Sequence, residues 1–266
     1  MSFARLERDA WSDPSVTAAY AEKFAEISTP SAGAVVEVAS VRMGCSVLDV
    51  ACGPGVAAAA ALERGAFPVG LDFSRSMLEI ARRRVPGVPF VRGSASRLPF
   101  RSRSFDYVVC NLGLLHFPDP ERAIMESGRV LRRGGRAAWS VWGADSAVTR
   151  TIPEAMENLG VRPELPEGPA FGKFAEEGTF EAALGEAAFV PDRPQQFAWS
   201  ARFASAEEFL RMFAQGTARH RAALRAISPE DRERVGAEVA QRLERFRHNG
   251  GLEVPATVVI GSGLKP

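Results

Sequence analysis

The run VLDVACGPG, residues 47–55, constrains this chain more than any other stretch. Val47 to Val50 are apolar around one acid, Asp49, and read as a buried parallel strand. Gly53 and Gly55 then allow a sharp turn and a close approach of the backbone to a ligand. The AAAAAL run that follows reads as a helix. Strand, glycine turn and helix opening onto a ligand form the first unit of a doubly wound nucleotide-binding sheet. The charge of the turn narrows the ligand. A dinucleotide site requires GxGxxG with a pyrophosphate resting on helix amides, but position 58 is Ala58, and Asp49 would repel a pyrophosphate. The turn Ala51, Cys52, Gly53 and Gly55 therefore suits a cofactor with positive groups and no phosphate.

Further along, FPVGLDFS (67–74) reads as a second strand with Asp72 at its carboxyl end, placed to accept hydrogen bonds from two ribose hydroxyls. Ser74 caps the helix that follows. VPFVRG (88–93) reads as a third strand, and FDYVV opens a fourth that ends near Asn111 and Leu112. A helix from about Pro120 to Arg132, closed by Gly134 and Gly135, precedes a fifth strand ending at Trp142. Before the sheet, Asp13–Pro14 and Thr29–Pro30 each read as a capping residue followed by proline at the first helical position. The first of these helices carries Val16, Tyr20, Phe24 and Ile27 on one face.

The order and spacing of VLDVACGPG, DFSRSML, LPF, FDYVV and RVLRRGGRAAWSVW resemble the class I S-adenosylmethionine-dependent methyltransferases over residues 40–143. The resemblance implies a mostly parallel, seven-stranded α/β sheet of the Rossmann-like kind, with N-terminal lid helices and a helical cap insertion. It implies S-adenosylmethionine as cofactor and S-adenosylhomocysteine as product. Phe73 and Met77 are expected at the adenine, and Asn111 and Leu112 at the methionyl part. The chain departs from the family pattern at Ser94, where relatives carry an acid that accepts from the adenine amino group. A serine hydroxyl accepts more weakly, with the Ala95 amide beside it. Tyr20 matches a position where such lids carry a tyrosine. His116, with an unperturbed pKa of roughly 6.5, can take a proton from a phenol, enol or acidic carbon.

Beyond Trp142 the sequence is rich in Pro, Gly and Glu up to about residue 200, and PELPEGPAFGKF reads as a loop. A short helix near 176–187, a strand QFAWSARF, a capping box at Ser205 and Glu208, and a helix opened by Ser228–Pro229 follow. VPATVVIGSG reads as the last strand. The expected organisation is a lid over 1–43, a cofactor-binding core over 44–143, a substrate cap over 144–253 and a final core strand over 254–266. Trp142, Phe171, Phe174, Phe209 and Phe213 are candidates for an apolar substrate wall.

With 266 residues, 46% of them hydrophobic, the chain can bury a core, and a net charge of +1 leaves no field for nucleic acid. Three cysteines without metal spacing fit a reducing cytoplasm, and no metal is expected. No run of about 18 apolar residues suggests a membrane span. The loop NLGLLHF lacks the NPPY-like sequence of amino-directed nucleic-acid enzymes. The expected activity is methyl transfer to O, C or N of a small, largely apolar phenol, quinone or secondary metabolite, by a monomer or homodimer. The alternative is an enzyme that binds the same cofactor without transferring its methyl group, a cyclase or decarboxylase.

Overall fold

The VLDV stretch is strand β1, Ser46–Val50, in a computed structural model that describes residues 1–266. The other strands are β2 (Phe67–Asp72), β3 (Phe90–Arg92), β4 (Phe105–Asn111), β5 (Leu131–Trp142), β6 (Val190–Pro191), β7 (Gln195–Phe203), β8 (Arg247–His248) and β9 (Gly251–Leu264). Seven follow the path β3-β2-β1-β4-β5-β9-β6, and β7 and β8 also pair with β9. The pairs β1–β2, β2–β3, β1–β4 and β4–β5 are parallel, whereas β9 runs antiparallel to β5. The fold is thus the α/β doubly wound sheet read from the sequence, with two strands more than the expected seven. Val47, Leu48, Asp49 and Val50 are all buried, as a strand covered on both faces requires. Chain order reverses between β1 and β4, which makes their carboxyl ends the switch point of the sheet.

Contacts divide the chain into two units: residues 1–27, 145–168 and 198–257, and residues 28–144, 169–197 and 258–266. Residues 28–43 and 169–197 thus group with the sheet, at boundaries other than those read from the sequence. In the second unit, β1 leads into helix Val56–Glu63, β2 into Arg75–Arg84, and β4 towards Pro120–Val130. Ser74 caps the second of these, its Oγ accepting from the Met77 amide at 3.2 Å. The third ends at Val130 rather than at Gly134. Those glycines lie inside β5, where the Gly134 amide donates to the Lys265 carbonyl at 2.8 Å. A Cβ on Gly135 would stand 2.8 Å from the Asp106 carbonyl oxygen, so the glycine serves a close strand approach and not a helix end. Helix Thr29–Val38 is capped from Ser28, one residue earlier than the sequence suggests, and without a side-chain bond.

The first unit is largely helical, with β8 and parts of β7 and β9. An amphipathic helix, Phe3–Ser12, precedes Pro14–Ala19, which is capped by Asp13 accepting from the Ser15 amide at 2.9 Å. The chain then widens into a π turn, Tyr20–Phe24. Helices Ala147–Asn158, Ala206–Gly216, Ala218–Ala226 and Pro229–Leu243 complete this unit. No helix of the protein is long and apolar enough to cross a membrane.

Candidate cofactor site

The turn after β1 is left-handed at three residues, with φ +55° at Ala51, +50° at Gly53 and +83° at Gly55. Gly55 is required twice over, because a Cβ there would also lie 3.2 Å from both Phe90 and Val85 side-chain carbons. The turn after β4 mirrors it: Leu112 has φ +58°. Two non-glycine residues in the left-handed region, one at the end of each strand flanking the switch point, mark strain held by its surroundings. Gly113 is what lets the two turns meet. A Cβ there would fall 2.5 Å from Cys110 Sγ and 3.0 Å from Ala51 Cβ.

Two buried carboxylates face this turn. Asp49 Oδ2 accepts from the Ala58 amide at 2.9 Å in the first turns of helix Val56–Glu63, while its Oδ1 is buried without any partner. Burial pushes the Asp49 carboxyl up to about 8, with the neighbouring Asp72 charge adding to the rise. Asp72 Oδ2 accepts from the Gly53 amide at 2.9 Å and its Oδ1 from the Ser74 amide at 2.8 Å. Burial raises its pKa too, opposed chiefly by those amides, with the His116 ring nearby. His116 closes the short 3₁₀ turn Leu114–His116. The structure therefore brings Asp49, Ala51, Gly53, Gly55, Asp72, Leu112 and His116 around one end of the sheet.

The remaining sequence candidates divide between exposed and packed positions. Phe73 is 37% exposed just before helix Arg75–Arg84, and Met77 is buried in the first turn of that helix. Ser94 is exposed, its Oγ accepting from the Ser96 amide at 3.3 Å, and Ala95 is buried. Cys52 packs near Gly70, and its thiol, like that of Cys110, is pushed up by burial, which leaves neither as a thiolate nucleophile. Asn111 contributes its side chain rather than backbone alone: Oδ1 accepts from Ser31 at 2.9 Å and Ser140 at 2.7 Å, and Nδ2 donates to the Ser28 carbonyl at 3.3 Å. Ser140 Oγ also accepts from the Leu112 amide at 3.0 Å, which fixes the strained turn. Nothing in the sequence singles out Ser31, Ser140 or Gly113, because serines and glycines are common and these act only through distant partners.

Trp142 is buried at the end of β5 opposite Val258, and Phe171 is half-buried. Phe174 is buried in the core of the second unit, 5.1 Å from the Phe180 ring. In the first unit, Phe209 and Phe213 are 0% and 1% exposed and 4.8 Å apart. Tyr20 stacks on Phe24 at 4.8 Å and meets Trp11 edge-on at 5.2 Å. No group of three or more His, Cys, Asp or Glu side chains gathers in a way that could hold a metal ion.

The profile of a family described as a methyltransferase domain matches residues 48–139. A demethylmenaquinone methyltransferase of Paenarthrobacter aurescens is 38% identical over 102 residues, covering 38% of this chain and 40% of the relative. The chain thus aligns with about two fifths of the length of that relative. A phosphoethanolamine N-methyltransferase of Haemonchus contortus, solved with S-adenosylhomocysteine, shares the fold over the whole of this chain and 61% of its own (TM-score 0.57, 18% identity). The [4+2]-cyclase SpnF shares it over 89% and 81% (TM-score 0.55, 21% identity). Residues 48–139, with the switch-point turns they carry, thus resemble a methyltransferase domain, and the chain is similar over about two fifths of its length to demethylmenaquinone methyltransferases.

Proposed function

We propose that the chain transfers a methyl group from S-adenosylmethionine to a small, largely apolar acceptor of the phenol or quinol class. The observation that carries this reading is the Asp49 carboxylate, whose buried Oδ1 lacks a partner at the head of a strained turn. A buried polar atom left alone costs about 1–3 kcal/mol. A ligand with a positive group and no phosphate relieves that cost, whereas a pyrophosphate worsens it. The residues thus fit an adenosyl cofactor with an ammonium and a sulfonium. When bound, such a cofactor supplies an electrophilic methyl group.

The chain's own residues do the rest. Asp72, and Asp49 once a cationic ligand draws off its proton, place negative charge beside the turn. Asp72 keeps lone pairs for ribose hydroxyls beyond the two amides it already accepts. The Asn111–Ser140 pair fixes Leu112, so the wall of the site is set before the ligand arrives. With acceptor and cofactor bound, His116 would take the proton that the acceptor's O–H or C–H gives up. Alignment of acceptor and methyl contributes most of the acceleration. Phe171, half-buried, supplies apolar surface to the acceptor. The name of the Paenarthrobacter relative favours a quinol acceptor.

Calorimetric titration with S-adenosylmethionine, S-adenosylhomocysteine and NAD tests the cofactor, and methyl-labelled cofactor with a panel of quinols and phenols tests transfer. Binding of both adenosyl ligands but not NAD, with label entering a quinol, is the expected result. Absence of adenosyl binding sinks the proposal. Binding with turnover of a substrate that gains no label assigns the chain to non-methylating chemistry instead.

A further inference from the structure

The loop Gly93–Phe100 leaves the carboxyl end of β3 beside the site, its first amide donating to the Asp72 carbonyl at 3.0 Å. From the opposite side it is gripped by helix Pro120–Val130. The Leu98 amide donates to Glu126 Oε2 at 2.9 Å, and Arg129 donates through Nη1 to the Phe100 carbonyl and through Nη2 to the Leu98 carbonyl, each at 2.9 Å. The same guanidinium engages both Glu126 oxygens, Nε to Oε1 and Nη2 to Oε2, again at 2.9 Å. Arg122 Nε adds a longer bond of 3.4 Å to the Ser96 carbonyl. Glu126 is 6% exposed, and its bonds to Arg129 hold its carboxyl below the ordinary range, hence ionised. One carboxylate and one planar guanidinium thus immobilise three backbone groups of the loop. The fork of an arginine fixes direction as well as distance, which a lysine does not.

At the near end of this loop stand Ser94 and Ala95. Ser94 Oγ accepts from the Ser96 amide and has a second lone pair with which to accept from the adenine amino group. A neutral hydroxyl binds a base edge less strongly than a carboxylate, so selectivity there depends on how firmly the loop is held.

We propose that Glu126 and Arg129 are positioning residues for base recognition, holding the loop from its far side so that Ser94 and Ala95 meet the adenine edge in one geometry. The proposal rests on the adenosyl-cofactor reading above. Its test compares S-adenosylhomocysteine with S-inosylhomocysteine, in which a carbonyl oxygen replaces the adenine amino group. Dissociation constants for both are measured on the full chain and on Arg129→Met, Arg129→Lys and Glu126→Gln, with thermal unfolding alongside.

The unaltered protein is expected to favour the adenine ligand by about tenfold, the worth of one hydrogen bond. Arg129→Met should weaken the adenine ligand by about that factor and the inosine ligand far less, with Arg129→Lys recovering part of the difference. Equal affinity of the unaltered protein for both ligands, an unchanged ratio in folded variants, or equal loss of both ligands each overturns the proposal. Where Arg129→Met fails to fold, Arg129→Lys and Glu126→Gln decide in the same way. Failure of the unaltered protein to bind either ligand would instead overturn the cofactor reading beneath it.

Discussion

The switch-point turns of the sheet and the aromatic cluster around Phe213 are both buried, yet they hold opposite kinds of energy. In the cluster, rings meet rings: Phe213 lies 4.8 Å from Phe209, 6.2 Å from Phe24 and 4.6 Å from His220. Trp11 Nε1 donates to Glu7 Oε2 at 2.9 Å, so the polar atom at the cluster's margin has its partner. The turns instead keep two non-glycine residues in the left-handed region and a carboxylate oxygen without a partner. The first arrangement stabilises the folded chain. The second spends stability, and a ligand can return it.

Substitutions in the two places should therefore separate stability from ligand affinity. The largest effect is expected from Phe213→Ala, which should cost about 3–5 kcal/mol by leaving a cavity in a packed cluster. Chemical denaturation should show that loss, while affinity of the folded fraction for S-adenosylhomocysteine stays within about threefold. A larger affinity change would break the comparison. Next comes Asp72→Ala, which removes acceptors for the Gly53 and Ser74 amides. It also removes the acceptor for the ribose hydroxyls, and at about 1.5–3 kcal/mol for one charge-assisted bond titration should find S-adenosylhomocysteine binding weakened roughly 100-fold.

Asp49 sharpens the comparison through pH. Its carboxyl is pushed from the ordinary 3.8 up to about 8, so between those values the folded chain holds a proton that the unfolded chain has lost. Stability contributed by this group therefore falls as pH rises through that window, and levels off above it. Asp49→Asn should flatten the slope in pH-dependent thermal unfolding. A cationic ligand favours the ionised form, so binding near pH 7 should release about one proton, read by titration in buffers of different ionisation enthalpy. Asp49→Asn should abolish that release. The smallest effect is expected at Ala51. Replacing it by glycine removes left-handed strain at φ +55° and should stabilise by up to about 1 kcal/mol, while Gly55→Ala, at φ +83°, should destabilise.

The turns were the more legible of the two regions. Glycine spacing and a single acid in an apolar strand are local signals, and Asp49, Gly53, Gly55 and Asp72 stand where those signals put them. Local caps were equally readable: Asp13, Ser74, Ser205 and Ser228 each accept from a backbone amide two or three residues on. What escaped depends on contacts between distant residues. The Asn111–Ser31 and Asn111–Ser140 bonds join residues 80 and 29 positions apart, and the Arg129 clamp reaches 31 residues back to Leu98. No periodicity encodes such pairs. Gly134 and Gly135 look like a helix terminus because glycine commonly ends helices, but the need for close strand approach to Asp106 and Lys265 governs them. The same ambiguity attends Phe209 and Phe213, whose helical spacing suits a substrate wall and a packed core alike.

Strand β9 sets a clock on this protein. Its residues Val258–Leu264 lie antiparallel along Trp142–Arg136 of β5. At roughly 5–20 residues per second, a ribosome needs on the order of 6–23 s to make the ~115 residues between Trp142 and Val258. During that interval β5 is the open edge of an otherwise formed parallel sheet, an invitation to pair with another chain. Synthesis speed over the intervening helices therefore sets how long each new molecule is exposed to misassembly before its own last strand arrives.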